Sequence, residues 1–340
     1  MNSTIEQIRA FLEDRGEPRY RQDQVIKAWY SASSWEEVTT LPKQLKADLA
    51  ESFEWMAFSD VRVFSSKKDE TQKAIMTLSD GNKIESVYMP NARGSRTVCI
   101  SSQVGCGMAC TFCATGTMGL MRNLTIDEIV DQIRYWQIHG DEPVRNIVFM
   151  GMGEPLANYD AVKQAARIFI DEYEIGSTRI TVSTVGPAAG LQKVLQDDDF
   201  PPVRLAISIH AGTDETRKSI VPSHGKRTMN DFVQWVERYI DKRGNRRHHV
   251  TLEYVMLEGV NDMPEEAEAL GELFSHMTHA IKVNLIPWNP TGKHLETSSD
   301  SRIIQFQHIL QQYNITTTIR YSKGLDIDAA CGQLVVKDAK

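Results

Sequence analysis

Residues 97–113, TVCISSQVGCGMACTFC, carry a β-like apolar run into three cysteines, Cys106, Cys110 and Cys113, in the spacing Cys-x3-Cys-x2-Cys. Thiolates hold iron-sulfur cubanes, ordinarily four to a cluster. A set of three leaves one iron without a protein ligand, and an open iron is a site for chemistry where a closed cluster only stores electrons. The alternatives are a zinc knuckle or buried apolar thiols. Zinc sites pair two Cys-x2-4-Cys units or add histidine, and no histidine follows Cys113 within the next twenty residues. The spacing therefore favours a cluster with one open iron.

The apolar run before the cysteines is the first of a series. After Arg96, TVCISS is followed by a helical stretch at 125–139, NIVFMG by 158–173, RITVST by 187–196 and VRLAISI by 213–243. VTLEYVML then precedes 264–278, KVNLIP precedes 299–313, and TTTIRY closes the series. Such alternation implies parallel strands joined by crossover helices. Six or more units make a barrel or partial barrel, with the active site where loops converge at the carboxyl ends of the strands. Thr125-Ile-Asp-Glu128 reads as a capping box, and Asn158 as the start of the following helix.

Upstream the pattern differs. Ile5, Ile8, Phe11 and Leu12, then Val25, Ile26, Ala28 and Trp29, recur at helical intervals and read as short amphipathic helices whose apolar residues make core. VRVFSS, KAIMTLS and KIESVYM alternate in the manner of strands, with Asp80-Gly81 the strongest hairpin signal. The expected fold is α/β, in three parts. A small helical domain spans 1–55, a short antiparallel β extension 56–95, and a partial (β/α)6-type barrel with a C-terminal catalytic segment 96–340.

Polar residues gather at one rim of that scaffold. Gly151-Met-Gly153-Glu154-Pro155 follows the second strand, Ser183-Thr184 closes the third, Ser208-Ile209-His210 closes the fourth, and Asn289 follows the strand ending at Pro287. Each alone reads as a turn or a helix cap; together they favour a ligand site. Gly151 and Gly153 would let the backbone approach a ligand, and Glu154 could accept hydrogen bonds from an ammonium group. The third glycine of a dinucleotide loop is missing, and Pro155 stands where that helix would open. Cys99 and Cys331 could both reach the same rim. Each alone reads as an inert buried thiol, and whether they can bridge depends on a Cα separation that sequence leaves open.

Composition sets the class. The chain of 340 residues has a net charge of −7 and five cysteines, an odd number with three clustered. This argues against a secreted disulfide framework and for the reducing cytoplasm. No apolar run reaches membrane-spanning length and no secretory signal is visible, so no membrane partner is expected. Basic residues concentrate between Lys226 and His249, seven against three acids, and the run 242–249 is a candidate phosphate-contacting loop or a solvated helix end. His276 and His279 share helical spacing but have no evident third metal ligand, and read as surface residues.

The motifs CxxxCxxC, GMGEP, VSTVG, SIHA, IPWNP and DIDAACGQL, in this order, resemble those of the RlmN/Cfr family of radical SAM RNA adenosine methyltransferases over nearly the whole chain. NLIPWNP and the DIDAACGQL segment look more like the RlmN branch, which methylates C2 of adenosine, than the Cfr branch, which acts at C8. The resemblance implies that Cys106, Cys110 and Cys113 ligate a [4Fe-4S] cluster whose free iron chelates S-adenosylmethionine. It implies that Gly153, Glu154, Ser183, Ser208, Ile209, His210 and Asn289 hold that cofactor. It further implies that Cys331 carries the methyl group, that Glu85 accepts the ring proton, and that Cys99 resolves a covalent protein–RNA intermediate, leaving a disulfide to be reduced. The implied partners are ribosomal and transfer RNA and an external electron donor such as flavodoxin or ferredoxin.

The chemistry explains such machinery. An adenine C2 or C8 carbon is no nucleophile at neutral pH, so direct displacement on a sulfonium methyl fails and a radical route is required. A stacked adenine hides C2, so the target should be a loop or a flipped nucleotide. Two other classes remain in view: a radical SAM enzyme acting on a small molecule or peptide, and a non-enzymatic RNA-binding protein with a structural metal.

Overall fold

The computed structural model describes residues 3–91, 94–225, 227–243, 249–292 and 294–336. Three helices come first: α1 (Thr4–Asp14), α2 (Arg19–Ser31) and α3 (Lys43–Ser52). α1 starts at a reciprocal cap, in which the Glu6 amide donates to Ser3 Oγ and the Ser3 amide to the Glu6 carboxylate. Ile8, Leu12, Val25, Trp29, Leu45 and Leu49 close into a small core of their own. The rings of Trp29, Trp35 and Trp55 meet there at centroid distances of 4.7 to 5.7 Å.

β1 (Phe58–Ser65), β2 (Gln72–Leu78) and β3 (Lys83–Pro90) pair antiparallel, and β3 pairs antiparallel with β4 (Arg96–Cys99). The β2–β3 turn falls at Asp80-Gly81: Gly81 takes φ +81°, and Asp80 Oδ1 accepts from the Asn82 amide at 3.0 Å. A two-stranded hairpin outside the main sheet follows, β5 (Gln103–Cys106) with β6 (Gly119–Asn123).

The remaining chain alternates as the sequence predicts: α4 (Ile126–His139), β7 (Val144–Phe149), α5 (Tyr159–Asp171), β8 (Ile180–Thr184), α6 (Ala188–Gln196) and β9 (Arg204–Ser208). After these come α7 (Asp214–Ile220), α8 (Met229–Arg243), β10 (Val250–Met256), α9 (Pro264–Phe274), β11 (Ile281–Pro287), α10 (Asp300–Gln312) and β12 (Thr317–Ile319). Among the described residues one sheet runs β1-β2-β3-β4-β7-β8-β9-β10-β11-β12, and every pairing from β4 to β12 is parallel. The order is linear, with β1 and β12 at its ends, so the barrel stays open. This is the expected partial barrel.

Three local expectations meet the structure differently. Thr125 caps α4 as a full capping box, with Glu128 returning to the Thr125 amide at 2.8 Å. Asn158 is the N-cap residue of α5, but its side chain makes no cap hydrogen bond. Its Nδ2 instead donates to the carbonyls of Ser102 (2.9 Å) and Leu124 (2.8 Å), tying the helix start to the chain before α4. The stretch 213–243 is two helices, because Pro222 excludes the helical region at Val221, which stands at φ −123°, ψ 81°.

In the basic run, Lys242 donates to the Leu195 carbonyl at 2.7 Å and pairs with Asp198, while Arg243 donates to the carbonyls of Asp197 and Phe200. Those two cations fasten the end of α8 to the 195–200 segment; residues 244–248 of the run lie outside the described residues. His276 and His279 are exposed. Among the described residues no helix is long and apolar enough to cross a membrane.

Candidate active site

Cys106 ends β5 where the chain must pass very close to β6. Gly105 has φ +73°, and a Cβ there would lie 1.9 Å from the Gly119 carbonyl oxygen. Beyond it the loop curls through Ala109 at φ +54°, and the Thr111 amide donates to the Ile220 carbonyl at 2.9 Å. Cys106, Cys110 and Cys113 thereby line one cavity. Gly153, Glu154, Ser183, Ser208, His210 and Asn289 line the same cavity from the carboxyl ends of the strands. Ile209 does not: its side chain is fully buried and its amide donates to the Glu253 carbonyl at 3.0 Å.

Three soft thiols facing one cavity suit iron-sulfur ligation. Burial pushes the Cys106 thiol up to about 12 and raises Cys110 as well. Such thiols lose their protons to a bound metal rather than to water. Among the described residues no group of three His, Cys, Asp or Glu side chains is spaced for a single metal ion. A cubane needs a wider spacing, since each thiolate takes a different iron.

Around this cavity the polar side chains are held firmly. Glu154 is buried; its carboxylate accepts from Thr184 Oγ1 at 2.6 Å, the Leu156 amide at 2.8 Å and the Val185 amide at 2.9 Å. Burial raises it to about 7 against those three donors. The Glu154 amide in turn donates to Gln103 Oε1 at 2.8 Å, and Gly153 makes room for that contact, since a Cβ there would come within 2.6 Å of Gln103 Cβ. His210 Nδ1 accepts from the Val255 amide at 3.0 Å. Burial and the nearby Arg217 guanidinium push the imidazole down to about 3. His210 is therefore neutral with its proton on Nε2. Ser183 and Ser208 place their hydroxyls 3.4 Å apart.

Arg217 was not anticipated. It is fully buried, donates to the carbonyls of Val185 (2.9 Å) and Ser208 (3.0 Å), and lies 4.5 Å from the centroid of the Phe232 ring. Burial lowers it to about 9. In sequence it is one cation in the charged helix 214–220, with no signal of its inward direction.

A second cavity is lined by Cys99, Met150, Arg320, Tyr321 and Cys331 among others. Cys331 lines both cavities. Cys331 is exposed and Cys99 buried; desolvation by the surrounding protein pushes the Cys331 thiol up to about 11 and the Cys99 thiol up to about 12. Both are free thiols in this structure. The segment that bears Cys331 is stitched across the mouth. The Ala114 amide donates to the Gly332 carbonyl (2.7 Å), Thr115 Oγ1 to the Leu334 carbonyl (2.5 Å), and Gln333 Nε2 to the Pro290 carbonyl (2.9 Å). Asn289 Nδ2 donates to the Cys331 carbonyl at 2.9 Å and to Ser322 Oγ at 2.8 Å.

Glu85 lies on β3, buried, with Lys73 Nζ 3.0 Å from its Oε1. It forms part of the wall of neither cavity. Burial raises its pKa, and Lys73 opposes that rise. Lys73 was not singled out in sequence. Its signal would have been a lysine inside an otherwise inward-facing strand.

Comparison with known proteins gives matching results. A family model described as the radical SAM superfamily matches residues 100–271. The crystal structure of a radical SAM methyltransferase from Sphaerobacter thermophilus superposes with a TM-score of 0.89 at 39% identity, covering 97% of this chain and 97% of that chain. Spore photoproduct lyase complexed with dinucleoside spore photoproduct gives a TM-score of 0.49 at 12% identity over 78% of this chain and 80% of that one. A domain of pyruvate-formate lyase-activating enzyme from Bacteroides vulgatus gives 0.38 at 16% identity over 52% and 98%.

Proposed function

The chain belongs to the radical SAM superfamily, and from that premise we propose that it is an RNA methyltransferase acting on carbon C2 of adenosine in ribosomal and transfer RNA, with Cys331 as methyl carrier. The observation that carries this reading is the position of Cys331. It lines both the cavity bearing Cys106, Cys110 and Cys113 and the cavity bearing Cys99. A sulfur at that junction can receive a methyl group from one side and be attacked by a second sulfur on the other. The likeness to a radical SAM methyltransferase along almost the whole chain supports methyl transfer as the outcome. The motif resemblance to the RlmN branch supports adenosine C2 as the target.

In this reading Cys106, Cys110 and Cys113 hold the [4Fe-4S] cluster. Glu154 accepts from the ammonium of S-adenosylmethionine, Gly153 lets the backbone approach it, and Ser183, Ser208, Ile209, His210 and Asn289 complete its binding. Bound there, cluster and cofactor supply a methyl group and one-electron cleavage chemistry, with electrons from an external donor such as flavodoxin or ferredoxin. Asn289 also holds the Cys331 carbonyl, so the residue that contacts the cofactor positions the methyl carrier too. Glu85 takes the ring proton, and Cys99 attacks the Cys331 sulfur; the bond from that sulfur to the transferred carbon breaks, its electron pair stays with that carbon, which takes up a proton as product leaves, and the resulting disulfide is then reduced. Helices α1–α3 would grip the RNA by shape.

The test is a pair of variants assayed with labelled methyl donor on RNA and on small metabolites. Cys331→Ala should bind the cluster and transfer no methyl group, and Cys99→Ala should accumulate protein crosslinked to RNA. Normal turnover by either variant rejects the assigned roles, and label in metabolites but not RNA rejects the substrate.

A further inference from the structure

The register of β2 and β3 sets Lys73 opposite Val87 and Glu85 opposite Ile75, so Lys73 and Glu85 are diagonal neighbours on one face of the sheet. Lys73 Nζ lies 3.0 Å from Glu85 Oε1 and donates to the Asp328 carbonyl at 3.2 Å. Asp328 stands in a left-handed turn, φ +51°, just ahead of Cys331. Burying a lysine costs side-chain entropy and the hydration of its charge. Here one ammonium bridges a strand of the antiparallel unit and the segment that carries the reactive sulfur.

We propose that Lys73 is a positioning residue: its ammonium grips the Glu85 carboxylate and the Asp328 carbonyl together, fixing the proton acceptor relative to the Cys331 segment. This rests on the RNA methylation reading above. The charged groups facing Glu85 are Lys73 on β2 and Asp328 in the turn; burial and Asp328 raise the Glu85 pKa and Lys73 lowers it. The cation beside it favours the ionised, proton-accepting form of the carboxylate. The proton of the ring C–H moves to a Glu85 oxygen, the C–H electron pair stays with the ring, and Lys73 keeps its charge.

The experiment compares wild type, Lys73→Met and Lys73→Arg after cluster reconstitution, across pH. Lys73→Met should release methylated RNA about 100-fold more slowly, the scale of a lost general base, and accumulate the protein–RNA adduct. Its rate should recover as pH rises, because a carboxyl without its cation stays protonated to higher pH. Lys73→Arg should restore release and lower the adduct. Infrared difference spectra of wild type against Glu85→Gln, titrated without RNA, should show an ionised carboxylate at neutral pH. A protonated Glu85 there overturns the inference even if Lys73→Met fails to fold. Wild-type release by Lys73→Met at every pH, with no adduct, overturns it as well. If wild type methylates no RNA, the functional reading fails, and the infrared titration still decides the state of the Lys73–Glu85 pair.

Discussion

Arg134→Met tests how the first three helices are fastened to the barrel. Arg134 projects from α4 and is fully buried, its guanidinium 3.8 Å from the Trp29 ring centroid and 4.5 Å from that of Trp55. Nε donates to the Trp29 carbonyl at 2.6 Å, and Nη1 to the Trp55 carbonyl at 2.5 Å and to Asp131 Oδ1 at 3.1 Å. Methionine keeps much of the apolar stem and removes every donor. Deleting one partner of a buried ion pair costs about 3–5 kcal/mol, and each carbonyl that loses a charged donor forfeits about 1.5 kcal/mol or more. These terms overlap, because Asp131 can take up a proton and retains the Ala57 amide at 2.8 Å. The expected loss at neutral pH is therefore about 4 kcal/mol.

Its pH dependence has a definite sign. Burial raises the Asp131 pKa while Arg134 and the Ala57 amide oppose the rise, so losing Arg134 lets the pKa climb further. A carboxyl whose folded pKa exceeds its unfolded value adds no penalty below the unfolded pKa, and destabilises as pH climbs through the folded one. The deficit should shrink as pH falls from neutral toward the ordinary carboxylate range, and adding Asp131→Asn should recover most of it. Urea unfolding followed by tryptophan fluorescence reads this region directly, since Trp29, Trp35 and Trp55 are three of the six tryptophans. A loss under about 1 kcal/mol at pH 7, or a loss indifferent to both pH and Asp131→Asn, refutes the reasoning.

Gly153→Ala should disrupt the wall of the cysteine-lined cavity: φ there is +102°, and the new methyl would meet Gln103 Cβ at 2.6 Å and the Gln103 backbone nitrogen at 2.7 Å. A stability loss of about 2 kcal/mol and at least tenfold weaker S-adenosylmethionine binding are expected by calorimetry; unchanged binding would contradict the close approach. Asn289→Ala removes the two hydrogen bonds that hold the Cys331 carbonyl and Ser322, worth about 2 kcal/mol together. Site-resolved mass spectrometry should then find Cys331 alkylated several-fold faster than in wild type, with Cys106 labelling little changed.

Much of the molecule is legible along the chain because the relevant signals are local. The six strand–helix alternations after Arg96, the Asp80-Gly81 turn, the Thr125 capping box and the cysteine spacing each lie within a few residues, where periodicity and backbone preference speak for themselves. The rim residues were legible for the same reason: a strand's end places its next polar residues at the mouth of a parallel sheet. Where side chains depart from what local signals suggest, distant partners or the packing of the sheet claim them. Asn158 has the chemistry of a cap, yet the carbonyls of Ser102 and Leu124 claim its amide. Ile209 belongs to the rim by position, and the direction of its side chain takes it into the core.

Tertiary structure alone decided what faces what. Nothing near residue 73 announces that its lysine reaches Glu85 and Asp328, and nothing near residue 217 that its arginine turns inward beneath Ser208. The same holds for Cys331, which lines two cavities whose walls are assembled from stretches far apart in sequence. Residue type and spacing set secondary structure and chemical capacity, since both arise from interactions within a few bonds. Strand register and crossover packing set burial and neighbours, so a charge's partner and a thiol's two faces exist only once the sheet has brought them together.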